Sequence, residues 1–468
     1  MQDNKTIHIK LGENTFAFLV IFGICIYICS FVGFPIVLPD SRRYLGSAAL
    51  METSYNAPTL FSFLLRPFYL WLGPWTFFLI NCLFSSVLSI CTSRSLYNNI
   101  YLIAATISLV ISLMIVNMTF VMMDIYVIYG VLSLLLLSID RGTPLVKLIL
   151  ALCFISHNSA LLIIMVVGLS LCLATKNVKF IKSFLIIICT SILCLCAYNY
   201  KFENRLNPLP KHASQFLVAR LMVDIPESMD SYISANPNSV FAPHWGAFRE
   251  KFRDQLSAHN DIALEPIILW SEDGILNLVG KDNVAKEYIK FVSYTITHYP
   301  GQYLSSLARN LYRFFSNFSP STYTIQAFSG WSSYDYHEYA SQYFPKFSDD
   351  IQDSAQQLDR IHVLYSPHFT AIIFIISMIF NIFVVILHKM FALFNKKIYI
   401  MAFTAIVFFI VNAFVSANFG VNTSDGRFFI KPFWPSILSL ALFVENFLRT
   451  NTSNFLAKII SNFNKVTN

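Results

Sequence analysis

Charge is scarce in this chain. Asp, Glu, Lys and Arg make up 13% of 468 residues, against 56% hydrophobic residues and 45 Phe. Soluble domains carry about 25% charged residues, so this composition excludes one of this size. Cysteine is missing from a whole region. All nine, Cys25, Cys29, Cys82, Cys91, Cys153, Cys172, Cys189, Cys194 and Cys196, fall in apolar segments, and none lies between 199 and 367. That pattern excludes a disulfide framework or thiolate metal site and leaves the cysteines as small apolar side chains. Glycine is sparse, at 15, with no Walker or dinucleotide-binding pattern, so ATP-driven chemistry has no basis. Internal repeats and low-complexity linkers are absent. Met1 to Thr15 carries Lys5 and Lys10, but no small-residue cleavage site follows the first apolar run, so that run is expected to stay as a helix.

What is present is long apolar runs, with a mean hydropathy of +0.57. Ten segments are expected to span a membrane: 16–38, 74–92, 99–120, 125–139, 144–156, 159–175, 183–198, 368–388, 398–417 and 433–448. Crossing a bilayer core takes about 20 helical residues. With the N-terminus inside, the inner loops collect most of the cations, among them Lys5, Lys10, Arg94, Arg141, Lys147, Lys176, Lys179, Lys182, Lys389, Lys396 and Lys397. The short outer loops hold only Arg42, Arg43, Arg66, Arg427 and Lys431. This asymmetry predicts cytoplasmic N- and C-termini. It also explains the net charge of +7 without nucleic acid as a partner. Two short spans meet at Ser156-His157-Asn158-Ser159 with almost no loop; irregular backbone at membrane depth is tolerated where protein or water satisfies it.

The expected architecture is therefore an all-α integral membrane protein with an N-terminal membrane module (1–198), a mostly helical outer domain (199–367) and a C-terminal membrane module (368–468). Within the outer domain, Val284 to Val292 and the run through Tyr303, Leu307, Leu311, Phe314 and Phe315 show helical periodicity. Trp331, Tyr334, Tyr336 and Tyr339 lie in an irregular aromatic stretch that suits packing at the membrane interface or stacking on sugar rings.

Ionisable groups gather on the predicted outer face. Pro39-Asp40-Ser41-Arg42-Arg43-Tyr44 puts a carboxylate where the first helix emerges, although Asp before Ser also suits a helix cap. The following stretch to Tyr69, with Glu52 and Arg66, reads as one or two interfacial helices. Asp124 is the only ionisable group of a tight second outer turn, an expensive placement without a partner, a task or a capping role. In the last outer loop Asp425-Gly426 marks a turn, and Arg427 and Lys431 stand four apart. Two such cations suit either lipid phosphates or a substrate phosphate.

In the order of its parts, the chain resembles the GT-C membrane glycosyltransferases: an acid after the first helix, an amphipathic first outer loop, an acid between the third and fourth helices and a large outer domain after the seventh. The Asp40 to Tyr44 spacing, Ala48-Ala49 and Pro58-Thr59-Leu60-Phe61 are similar to that family's first loop. Size, helix count and Asp425-Gly426-Arg427-Phe428 resemble the bacterial and phage-borne glucosyltransferases that alter O-antigen serotype. The first loop departs from the paired acids of some members by carrying a lone Asp.

That resemblance implies an enzyme of the bacterial inner membrane with its active site facing the periplasm. It would move a single sugar, glucose in the nearest case, from a polyprenyl-phosphate lipid to a hydroxyl of a surface glycan, with inversion. Such transfer needs a base and neutralisation of the departing phosphate. Asp40 is the candidate base. Asp124 would orient the acceptor, an arginine or an optional divalent cation such as Mg or Mn. Arg427, Lys431, Arg42 and Arg43 are candidates for the phosphate, and Tyr44, His157, Arg66 and Asp425 for substrate contacts. For His157, a satisfied polar group in a helix break is the favoured reading over a substrate contact. The glycan acceptor, the membrane lipids and, functionally, a donor-lipid synthase and a flippase are the implied partners. The rival readings are a polysaccharide polymerase or ligase, a glycolipid flippase or transporter, and a membrane scaffold.

Overall fold

A computed structural model describes residues 15–16, 18–27, 35, 41–54, 58–96, 123, 125–210, 215–257, 264–316, 341–347, 367–391, 394–419, 431 and 433–449. Among these residues there is no strand, only helices and their connections. The first part of the chain forms α1 (Phe18–Tyr27), α2 (Ser41–Leu50), α3 (Leu60–Leu72), α4 (Trp75–Leu96), α5 (Ile125–Ser138), α6 (Pro144–Phe154), α7 (Asn158–Thr175) and α8 (Val178–Glu203), all apolar except α2. Near the C-terminus come α17 (Pro367–Phe391), α18 (Lys396–Phe419) and α19 (Phe433–Arg449).

Among the described residues, five stretches are long and apolar enough to cross a membrane: Trp75–Thr92, Asn158–Thr175, Val178–Glu203, Ile372–Met390 and Lys396–Asn418. The other apolar helices are shorter, so the protein is an all-α membrane protein whose sequence-predicted segments only partly reach spanning length. The segment 99–120 lies outside the described residues. Segment 125–139 becomes α5, at ~21 Å shorter than a bilayer core. Every residue of α5 is buried. It needs no polar face because α4, α6, α7 and α18 surround it. Gly130 makes that closeness possible: a Cβ there would meet Ile164 Cδ1 of α7 at 2.1 Å. The polar atom of Tyr129 is satisfied inside the bundle, 2.6 Å from Ser85 Oγ and donating to the Asn81 carbonyl at 3.0 Å.

Local chemistry sets the helix ends. Thr143 caps α6 by accepting from Val146 N–H, with Pro144 in the first turn. Lys176 closes α7 in the left-handed conformation (φ 51°), and the adjacent Asn177 accepts from Lys179 and Phe180 N–H to open α8. The expected break at Ser156-His157 is a turn between α6 and α7, and the His157 ring accepts from Ser159 N–H.

Between α8 and α17 lie α9 (Gln215–Asp224), α10 (Pro226–Ala235), α11 (Ala242–Lys251), α12 (Arg253–Ser257), α13 (Leu264–Trp270), α14 (Ile275–Val279), α15 (Lys281–His298) and α16 (Pro300–Ser316). They form a second core around Met222, Met229, Phe241, Ile268, Leu276 and Phe291, separate from that of the membrane helices. Glu287 pins α15 to this body, accepting from Tyr232 Oη at 2.7 Å and Val240 N–H at 2.9 Å.

Candidate functional site

Two polar assemblies stand out among the described residues. The first is built on the loop after α1. Helix α2 buries Tyr44, Leu45, Gly46, Ser47 and Ala48 and leaves Arg42 exposed. It ends at Met51, whose left-handed φ of 62° costs a non-glycine residue about 1–2 kcal/mol. The Ser47 hydroxyl holds this end, 2.9 Å from the Arg43 carbonyl and 2.5 Å from that of Glu52. Arg66 of α3 reaches back and donates through Nη1 to the carbonyls of Ala48 (3.0 Å) and Ala49. A cation is favoured there by the negative end of the helix dipole.

A distant segment closes over this loop. Residues 341–347 place Tyr343, 3% exposed, against α2 and α3. Arg42 Nε donates to Tyr343 Oη at 3.1 Å, and its guanidinium carbon lies 5.9 Å from the ring centre. Tyr69 Oη donates to the Tyr343 carbonyl at 3.0 Å. Gly46 is where ring and helix meet: a Cβ there would lie 3.1 Å from Tyr343 Cε1. Below, Phe61 packs edge-on against Tyr126 of the buried α5, at 4.7 Å. Leu64, Phe68 and Trp71 form an exposed stripe along the opposite side of α3.

The second assembly joins α9, α13 and α16 to the end of α18. Arg220 makes a two-pronged ion pair with Glu265, Nε to Oε1 at 2.8 Å and Nη2 to Oε2 at 3.1 Å, with the side chains 4% and 6% exposed. Its Nη1 donates to the Ala417 carbonyl of α18. Burial pushes the Glu265 carboxyl above the usual carboxylate range, and Arg220 only partly offsets this. One helical turn beyond Arg220, Asp224 accepts from Ser306 Oγ and from Asn310 Nδ2 (3.0 Å), and Arg313 donates to Asn310 Oδ1 at 3.1 Å.

The predicted site residues are distributed as follows. Asp40, Asp124, Asp425 and Arg427 lie outside the described residues, as do Trp331, Tyr334, Tyr336 and Tyr339. Arg42, Arg43, Tyr44 and Arg66 are brought together around α2. Tyr44 is buried, and Arg66 holds backbone carbonyls. Lys431, ahead of α19, is 1% exposed. His157 caps α7 and lies 2.6 Å from Ser159 Oγ through Nδ1. Among the described residues no group of three or more His, Cys, Asp or Glu side chains is placed to hold a metal ion.

Sequence reasoning missed Tyr343 and the network of Arg220, Asp224, Glu265, Ser306, Asn310 and Arg313. A signal existed for part of it: Ser306, Asn310 and Arg313 recur at helical spacing in an amphipathic run. The chain matches no family model, no curated protein and no solved structure in the comparisons made.

Proposed function

We propose that the protein is a membrane glycosyltransferase that takes its sugar from a polyprenyl-phosphate lipid, with the loop at α2 as the reaction centre. The observation that carries this reading is the start of α2. Ser41, Arg42 and Arg43 occupy the first turn of a ten-residue helix, directly after Asp40 in the sequence. A helix N-terminus presents backbone N–H groups and partial positive charge to an anion, and two guanidinium groups on the same turn strengthen that field. Arg42 is oriented by Tyr343 rather than left to sweep through solvent. The apolar stripe of α3 suits a loop lying at a membrane surface, where a lipid carrier presents its phosphate.

Asp40 takes the acceptor hydroxyl's proton as the oxygen attacks the anomeric carbon. The bond from that carbon to the phosphate oxygen breaks with its electron pair on the phosphate, and Arg42 and Arg43 stabilise the departing charge. Displacement in one step inverts the anomeric centre. The test uses Asp40→Asn in membranes supplied with lipid-linked donor, with glycan mass read with and without the chain. A gain of one hexose per repeat unit for the parent, and none for Asp40→Asn at equal protein level, is expected. Wild-type transfer by Asp40→Asn would sink the role of Asp40, and an unaltered glycan mass with the parent chain would sink the reading itself.

A further inference from the structure

Helix α16 belongs by sequence to the extramembrane region, yet its neighbours place it alongside a membrane span. At its start, Tyr303 Oη donates to Asn418 Oδ1 of α18 at 3.2 Å. At its end, Phe314 and Phe315 pack on Phe409 of α18, with ring centres 6.4 and 5.5 Å apart. The two helices therefore run antiparallel, and ~13 Å of α18, at 1.5 Å per residue, separates Asn418 from Phe409. Phe409 lies well inside the apolar stretch Lys396–Asn418.

The distribution of side chains around α16 is that of a helix in lipid. Ser306 and Asn310 are buried, at 3% and 2% exposure, and are tied to Asp224. Arg309 and Arg313 are half-buried beside them. Outward go Leu304 (61% exposed), Ala308, Tyr312 (73%) and Phe315 (45%), a largely apolar flank at helical spacing in which Ser305 is the one polar side chain. Water would leave that flank unfavourably hydrated, whereas acyl chains would cover it. The flank also continues into a lipid-facing surface. Phe409, which Phe315 touches, packs at 5.6 Å on Phe374 of α17, whose Ile372, Ile375, Ile376 and Ile379 are all exposed along a candidate span.

We infer that α16 is immersed in the bilayer beside α18, with Leu304, Ala308, Tyr312 and Phe315 covered by lipid acyl chains. The occupant of this face is the bilayer itself, because the face is continuous with that of a span and reaches the same depth. The polar side of α16 then lies at membrane level and is screened from lipid by its own helix. Charged groups at that depth are costly unless they face the protein interior with partners, as Arg313 and Asp224 do. This inference is independent of the proposed transferase activity.

The test places the photoreactive residue p-benzoylphenylalanine singly at Leu304, Tyr312, Ile379 and Lys251 of the full-length protein in its native membrane. Cross-linked products are then identified by mass. Ile379, 63% exposed on a candidate span, is the positive control, and Lys251, 54% exposed on α11, the negative one. Phospholipid adducts at 304, 312 and 379 but not at 251 are expected. With adducts at 379, their absence at both 304 and 312 would overturn the inference. So would cross-links from those two positions to a second copy of the chain or to another protein, since the flank would then be a protein interface.

Discussion

The Arg220–Glu265 pair should behave as a buried charge that tolerates removal of both partners but not of one. Each side chain has given up almost all its water, and the pair is held by two parallel hydrogen bonds. In Glu265→Gln the shape is kept but the negative charge is lost, leaving a guanidinium in a site without its counter-charge. Breaking a buried pair in this way costs about 3–5 kcal/mol. The elements that feel it are α9, α13 and the end of α18, because Arg220 also holds the Ala417 carbonyl. Amide hydrogen exchange is the suitable assay, since it reports opening element by element. At about 1.4 kcal/mol per decade, a loss of ~3 kcal/mol speeds exchange in α9 and α13 by roughly a hundredfold. The double variant Arg220→Met with Glu265→Leu removes both charges and should recover most of the protection. What it does not recover is the donor to Ala417, worth about 1 kcal/mol. Exchange in Glu265→Gln less than about tenfold faster, equivalent to ~1.4 kcal/mol, would refute the argument. A double variant no better protected than the single one would refute it equally.

Glu287 supplies a pH dependence. Burial acts to raise its carboxyl, but hydrogen bonds from Tyr232 and Val240 outweigh it and hold the group below the usual range. A depressed folded value stabilises the fold above the unfolded value, about 4.3, and that contribution is lost as pH falls through the folded one. Thermal unfolding of the core around Phe241 and Phe291 should therefore show an acid limb that Glu287→Gln flattens; an unchanged limb would remove Glu287 as its source. In the membrane bundle, Gly130→Val should destabilise by about 1–3 kcal/mol through overpacking against Ile164. Ile164→Ala in the same chain should restore part of the melting temperature, and a lack of coupling between the two changes would place the strain elsewhere.

Properties confined to one stretch of chain were legible in the sequence. Apolar segments appear as helices close to their expected limits, for example 159–175 as Asn158–Thr175 and 398–417 as Lys396–Phe419. Caps such as Thr143 and Asn177 act over two or three residues, so local chemistry suffices for them. The interruption at Ser156-His157 is likewise local. Residue type also picked out the first-loop group, since Arg42, Arg43 and Arg66 stand in a short stretch between apolar runs.

Other features depended on which surface each helix meets. Nothing within α5 says whether an apolar helix of fourteen residues spans or is enclosed; the helices around it decide that. Arg42 and Tyr343 are 301 positions apart, and Arg220 and Glu265 are 45 apart, so no window of sequence pairs them. In α16 the helix was legible, but the expected row Tyr303, Leu307, Leu311 and Phe314 is half-buried or buried, and the exposed row is the neighbouring Leu304, Ala308, Tyr312 and Phe315. Composition and periodicity determined by themselves that this is a helical membrane protein and where most of its helices lie. Tertiary packing alone decided which polar groups share a site and which apolar flank meets lipid, because burial is a property of two surfaces and the sequence of one helix describes only one of them.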